Sequence, residues 1–375
     1  MQSELTNTQR DIQKAAREFA EKEFDLDLAL ELDKEARFPV SIFEKACRLG
    51  FVGIEYPEEY GGQSFGLFEN VLVTQEFCKR DSGIGISISL ADIASGILFR
   101  HGDENQKKNF LTPVIQGKAI STVATINSSN GSEKSTIPSI VEEYPDELVL
   151  NGETPFVING SIASYIVVFC KSKNNKLISL IVERNQEGVE NLGLQRMMGL
   201  RMSSISKIRF DHVRIRKDHW IGEESEGTEH LRCYLIERRI KTSSQALGIA
   251  QGAFDLALKH SKQREQFGKK ICQFQGVQFM LAELYTLIEA AGALVYQAAR
   301  SYDSQSSDME KISSVAKLFT TDVAVKIIID SIQIHGGVGL MREYSIERML
   351  RDTKTIKNLE ETILIQKALI AGEIL

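Results

Sequence analysis

The chain has 375 residues, 42% hydrophobic and 26% charged, with a net charge of −6, enough apolar content for a large core and more than one subdomain. Basic and acidic residues are interspersed, so the basic stripe that nucleic-acid binding requires is missing and that class of partner is excluded. The five cysteines are odd in number, widely scattered and without a C-x-x-C pair, which argues against a disulfide framework or a zinc site and for buried apolar fillers in a reducing cytoplasm. Met1 to Arg10 is polar and no unbroken run of about 18 apolar residues occurs, so neither a signal peptide nor a membrane span is expected.

From Leu5 to about Leu111 apolar residues recur at helical spacing, as in Ile12, Ala15, Ala16, Phe19 and again in Ile42, Phe43, Ala46, Leu49, with a Gly61-Gly62 turn between groups. This predicts an N-terminal helical domain over residues 1–120. The pattern then switches to short β-branched runs: Leu148 to Leu150 before Asn151-Gly152, read as a hairpin turn, then Tyr165 to Cys170, Leu177 to Val182 and Lys207 to Val213. A β-barrel or sandwich domain over 121–226 is expected. Helical periodicity returns in four stretches, about 230–262, 274–303, 307–335 and 353–373, for instance Val277, Leu281, Leu284, Ile288, Ala291, Val295. These predict a C-terminal four-helix bundle over 227–375 and an α+β fold overall.

The residues with chemical character concentrate near the C-terminus: Gln333 to Gly337 (Gln-Ile-His-Gly-Gly), Arg351-Asp352, and Glu360-Glu361-Thr362 on an otherwise apolar helix. Two glycines let a backbone approach a phosphate closely, and a carboxylate on an apolar helix is a candidate base. The six histidines show no metal-ligand spacing, so no metal is expected; His335 reads as a packed ring.

Helices, a β-domain and a four-helix bundle in that order, with Tyr60-Gly61-Gly62, Gly131-Ser132, Asn159-Gly160, Gly199-Leu200-Arg201, Gly222-Glu223, Arg264 to Gly268 (Arg-Glu-Gln-Phe-Gly), Gln275 and the C-terminal set, resemble the flavin-dependent acyl-CoA dehydrogenase family across the whole chain. Ser244 to Gln251 is similar to its short-chain members. The resemblance implies FAD as cofactor and α,β-dehydrogenation of an acyl thioester carried by CoA or an acyl carrier protein. Removing a proton beside a thioester calls for a desolvated carboxylate, and the departing hydride for an electron sink that no side chain supplies.

By this resemblance Glu360 is the catalytic base, and Arg264, Phe267, Gln275, Gln333, Gly336, Gly337 and Thr362, with Ser132, Phe156 and Ile158 of the β-domain, are cofactor contacts. Arg239 matches an arginine near the thioester site, and Arg238 stands where related enzymes with a different base carry their carboxylate. In the family Arg264, Gln333 and Gly337 serve a neighbouring subunit's cofactor, which implies a homodimer or homotetramer; electrons pass to an electron-transfer flavoprotein or to oxygen. Four positions depart from the pattern: Ile126 and Ile158 replace threonines at the flavin ring, Phe156 replaces tryptophan, and Glu361 replaces glycine. Glu361 is expected either to repel its neighbour's charge or to face solvent. The substitutions keep two further readings open, a flavin oxidase or monooxygenase of the same fold and a non-catalytic acyl-binding member.

Overall fold

The computed structural model describes residues 5–124 and 139–375. The N-terminal region holds α1 (Asn7–Glu23), α2 (Leu26–Glu35), α3 (Val40–Arg48), α4 (Leu67–Arg80), α5 (Ser82–Ser89), α6 (Ser95–His101), α7 (Glu104–Gln106) and α8 (Thr112–Ile115). A capping box starts α1, with Thr6 Oγ1 accepting from the Gln9 backbone N–H and the Gln9 side chain accepting from the Thr6 N–H. The Gly61-Gly62 turn is present: Gly61 takes φ +94°, and a Cβ on Gly62 would lie 2.0 Å from the Tyr56 carbonyl oxygen, so only glycine fits. Helix α4 is buried on nearly all sides because it lies between α1 and the C-terminal helices.

The strands are β1 (Ser121–Ala124), β2 (Ser139–Glu143), β3 (Glu147–Ile158), β4 (Tyr165–Lys171), β5 (Leu177–Glu183), β6 (Val189–Leu194), β7 (Ile205–Arg216) and β8 (Trp220–Ile221). They form one sheet in the order β6-β7-β3-β2-β4-β5-β8, with β1 parallel to β4. Asn151-Gly152 is not the expected hairpin turn. It lies inside β3 at a register shift against β7, where Asn151 Oδ1 accepts from the His212 N–H at 2.8 Å and His212 adopts φ +51°. The turn signal marks a β-bulge, because the asparagine side chain substitutes for a ladder partner.

The C-terminal region holds α9 (Gly227–Gln263), a short hairpin of β9 (Glu265–Gln266) and β10 (Lys269–Lys270), then α10 (Gln275–Asp303), α11 (Met309–His335), α12 (Ser345–Ile356) and α13 (Ile363–Ile374). The expected fourth helix is thus two helices, broken at 357–362, the segment that carries Glu360. By length and composition α10 is apolar enough to cross a membrane, which the search for an unbroken apolar run did not anticipate; less than half of that stretch is buried within the chain. One continuous core joins α4, α9, α10 and α11 to the N-terminal helices and the inner face of the sheet.

Candidate functional site

Helix α9 brings Tyr234, Glu237, Arg238 and Lys241 onto one stripe, at i, i+3, i+4 and i+7. All four are buried, in a helix packed against α4 and α11. The break between α12 and α13 faces this stripe. Glu360, whose side chain is 5% exposed, has φ +63° and accepts on Oε1 from Tyr234 OH at 2.9 Å and Arg238 Nε at 2.8 Å. Its Oε2 is buried and has no partner among the described residues.

Two contacts fix this unusual turn. Lys317 of α11, itself 2% exposed, donates from Nζ to the Leu359 carbonyl at 2.9 Å and to the Glu361 carbonyl at 3.4 Å. Glu361 is gripped by Arg239, Nε to Oε2 at 2.7 Å and Nη2 to Oε1 at 2.9 Å, and accepts from Gln366 Nε2 at 2.9 Å. Glu361 does not face solvent, since a bidentate arginine partner makes burial of the carboxylate tolerable. Arg239, expected beside the thioester, commits two of its donors to this pair and carries Glu310 Oε1 at 3.8 Å as well.

Burial opposes the charge of Arg238, but the Glu360 carboxylate and Tyr234 more than offset it, so its pKa lies above the ordinary arginine value. Burial brings the pKa of Lys317 down to about 8 against the partial support of Glu360 and Glu361. One turn along α9, Lys241 Nζ meets Glu55 Oε1 at 2.8 Å, Glu237 Oε1 at 2.9 Å and Asp92 Oδ2 at 3.8 Å. Glu237 Oε2 accepts from Tyr302 OH at 2.9 Å, and the Arg100 guanidinium lies over the Tyr302 ring, 4.4 Å from its centroid. Burial pushes Glu55 up to about 7 despite Lys241, whereas for Glu237 the pull of Lys241 and Arg100 outweighs burial and holds it at about 2.

The Arg351-Asp352 pair is structural. Arg351 Nη2 donates to Asp33 Oδ2 at 2.9 Å and to Glu347 Oε1 at 2.9 Å, while Asp352 accepts from Ser82 Oγ at 2.6 Å and the Leu200 N–H at 2.8 Å. A Cβ on Gly199 would lie 2.2 Å from the Arg351 carbonyl, so this loop seats directly on α12. The expected cofactor contacts divide between two places. Thr362 is next to the base, with a buried Oγ1 that has no partner among the described residues. Near the end of β3, Phe156 is a 46% exposed ring, and the strand's last residue, Ile158, is buried, its carbonyl accepting from Thr122 Oγ1. Ser132 and Ile126 lie outside the described residues.

Arg264, Phe267, Gln275, Gln333, Gly336 and Gly337 gather at the other end of the bundle, where His260 of α9 stacks on His335 of α11 with centroids 4.6 Å apart. All six are exposed, Phe267 to 92%, and a Cβ added at Gly336 or Gly337 would meet nothing within 4 Å. Gln333 follows Lys317 by sixteen residues of α11, about 24 Å at 1.5 Å per residue. The two groups are thus well separated along one helix and do not meet within a chain. A cavity of about 440 Å³ lined by Asn109, Phe110, Tyr165 and His219 among others includes no expected site residue.

The sequence reading missed Tyr234, Lys317 and the Lys241 cluster, and it named Arg238 without a role. Their trace was a polar stripe at helical spacing on a helix otherwise rich in small and apolar residues.

Comparison with known proteins agrees with this architecture. Residues 6–118 match the acyl-CoA dehydrogenase N-terminal domain and residues 226–375 the C-terminal domain. Similar curated proteins include a 3-(aryl)acrylate reductase of Clostridium sporogenes, 36% identical over 97% of both chains. The caffeyl-CoA reductase-Etf complex subunit CarC of Acetobacterium woodii is 32% identical, again over 97% of both. Butyryl-CoA dehydrogenase from Megasphaera elsdenii has the same fold, with a TM-score of 0.94 and 30% identity over 99% of this chain and 98% of that one. The chain belongs to the acyl-CoA dehydrogenase family and with it to the FAD-dependent oxidoreductases.

Proposed function

We propose that this protein interconverts an acyl thioester and its 2-enoyl counterpart, with Glu360 moving the proton at the α-carbon. The observation that carries the reading is the state of Glu360: a buried carboxylate with one oxygen held by Tyr234 and Arg238 and the other open among the described residues. Such a group is oriented through Oε1 and presents Oε2 to the substrate proton. Lys317 and the Arg239–Glu361 pair hold the turn at φ +63°, so the carboxylate is positioned before substrate arrives. When bound, FAD supplies the hydride acceptor or donor for the β-carbon. The aromatic ring of Phe156, the unsatisfied hydroxyl of Thr362 and the uncrowded glycines Gly336 and Gly337 are compatible with holding it.

Because Gln333 at the glycine-bearing end lies about 24 Å along α11 from Lys317, which holds the turn of the base, we read a cofactor site completed by a second copy of the chain, hence a homodimer or a dimer of dimers. The exposed apolar residues Phe279 and Tyr285 of α10 and Ile329 of α11 support such an assembly. Direction is set by the electron partner. The same base protonates the α-carbon in the reductive sense, and the reductase names of similar proteins favour a reductive role with an electron-transfer flavoprotein as donor. CoA and a phosphopantetheinyl carrier protein share the arm that enters the site, and both belong to this proposal.

The test is the visible spectrum of the purified protein during anaerobic addition of acyl thioesters, with reduced protein and enoyl thioesters for the reverse sense. Wild type should bleach or reoxidise; Glu360→Gln should keep its flavin and lose about 10²–10⁴-fold in rate. Undiminished bleaching by that variant, or a colourless protein that FAD does not reconstitute, overturns the reading.

A further inference from the structure

Arg238 leaves two buried donors unmet beside the base. Its side chain is buried at about 2% exposure, its Nε is spent on Glu360 Oε1 at 2.8 Å, and neither Nη1 nor Nη2 has an acceptor among the described residues. A buried guanidinium with two unmet terminal nitrogens is costly, more so than an unmet neutral donor, and is retained where something outside the chain supplies the acceptor. The Nε contact anchors the group and leaves the Nη1/Nη2 end, the edge that grips a carboxylate with two parallel hydrogen bonds. The same small region holds Glu360 Oε2, also unpartnered, so the open donors and the proton-accepting oxygen sit on one ion pair.

The neighbouring turns of α9 sharpen the point. Glu237 and Lys241, on the turns of α9 around Arg238, are buried charged groups, and Glu55, Asp92, Arg100 and Tyr302 converge on them from facing elements. An apolar chain laid along this face would meet buried ions instead of hydrocarbon, and would gain less than the usual ~25 cal/mol per Å² of apolar area.

We propose, building on the thioester reading above, that Arg238 recognises an oxygen acceptor on the acyl group itself, so that the preferred substrates carry a carboxylate or an oxo group near the carbons that change saturation. Arg238 is then a specificity residue that also steadies the base through Nε.

Equilibrium binding of three CoA thioesters to the anaerobic holoenzyme with its flavin already reduced, so that none of them reacts, is measured by calorimetry and tests this: butyryl-CoA has no acceptor beyond the thioester, acetoacetyl-CoA adds a neutral oxo group and succinyl-CoA a carboxylate. Wild type should bind at least one acceptor-bearing thioester about tenfold or more tighter than butyryl-CoA. Arg238→Gln should erase that preference and Arg238→Lys should keep part of it; whichever of the two ligands shows it names the group. A uniform loss across all three in Arg238→Gln assigns the donors to the thioester carbonyl and overturns the proposal, as does lost flavin with an unchanged ranking. If that variant does not fold, the wild-type ranking decides: butyryl-CoA bound as tightly as both others, or none bound, overturns it. Selective binding without any flavin bleaching would sink the redox reading and keep this one; bleaching by butyryl-CoA alone would do the reverse.

Discussion

The two ends of the C-terminal bundle are built on opposite principles. Around Glu360 the chain supplies most partners itself: Arg239 closes on Glu361, Lys317 ties down the turn, Tyr234 and Arg238 hold one carboxylate oxygen, and all are buried. Around Gly336 and Gly337 it supplies almost none, and Arg264, Phe267, Gln275 and Gln333 stand in solvent. Burying charge is expensive and is tolerated where it fixes one geometry, as a base requires. Exposing an aromatic ring and bare glycines brings the isolated chain no stability and is intelligible as surface kept for something that arrives. One end is therefore expected to respond to substitution through stability and catalysis, the other through assembly and cofactor retention.

The largest effect should come from breaking the buried pair. Arg239→Gln leaves Glu361 as a buried carboxylate without its bidentate partner, and a loss of about 3–5 kcal/mol in unfolding free energy is expected by denaturant titration. Replacing both residues by methionine should recover most of that loss, because the cost lies in the orphaned charge. Recovery of nothing by the double variant would show that the pair stabilises by attraction rather than by mutual neutralisation.

Lys317→Met comes next. Without its two carbonyl contacts the turn at 359–361 loosens, and a misplacement of the base of about 1 Å costs on the order of 10²-fold in rate. Its pH signature has the opposite sense to that of an ordinary paired lysine. Burial holds the folded-state pKa at about 8, below the unfolded value of about 10.4, so between those values the unfolded chain binds more protons and stability rises with pH. The variant should lose that rise; an unchanged stability-pH profile would contradict it.

Glu55 gives a smaller test of the same end. Its pKa is pushed up to about 7 from 4.5, so between these values the folded chain binds more protons and stability declines as pH rises. Glu55→Gln should flatten the decline in thermal unfolding midpoints across pH 4.5 to 7. A decline of the same size in the variant would move its origin to Asp92, whose pKa burial also raises.

Much of the molecule was legible in the sequence because it is periodic. The stretches 274–303 and 307–335 correspond closely to α10 and α11 since their apolar spacing continues to the last turn. The break at 357–362 was not legible, because Ile356, Leu359 and Ile363 carry the apolar spacing straight through it. What interrupts the helix is tertiary: an ammonium on α11 competes for the Leu359 and Glu361 carbonyls, and Glu360 takes a left-handed conformation that no local signal announces. Asn151-Gly152 misled for a related reason, since the same turn chemistry serves a bulge once a second strand lies alongside. The resemblance to a family located Glu360, but Arg238 acquires its meaning only from burial, and burial of a charged stripe on α9 depends on α4 and α11 packing over it.

The smallest effect on the chain itself is expected at Phe267, and it separates the two ends most cleanly. This ring is 92% exposed and has Phe274 as an aromatic neighbour, at 6.3 Å between centroids. Truncating it to alanine removes little packing, so the unfolding midpoint of the flavin-free chain should not move. If the exposed end is completed by a second copy, the same substitution should lower the flavin-to-protein ratio and shift light scattering toward smaller species, and Arg264→Ala should do likewise. If it is only a solvated loop, both variants should retain wild-type flavin content and wild-type mass. That outcome would leave the buried end as the whole of the functional site and remove the reason for reading the bundle as half of a shared one.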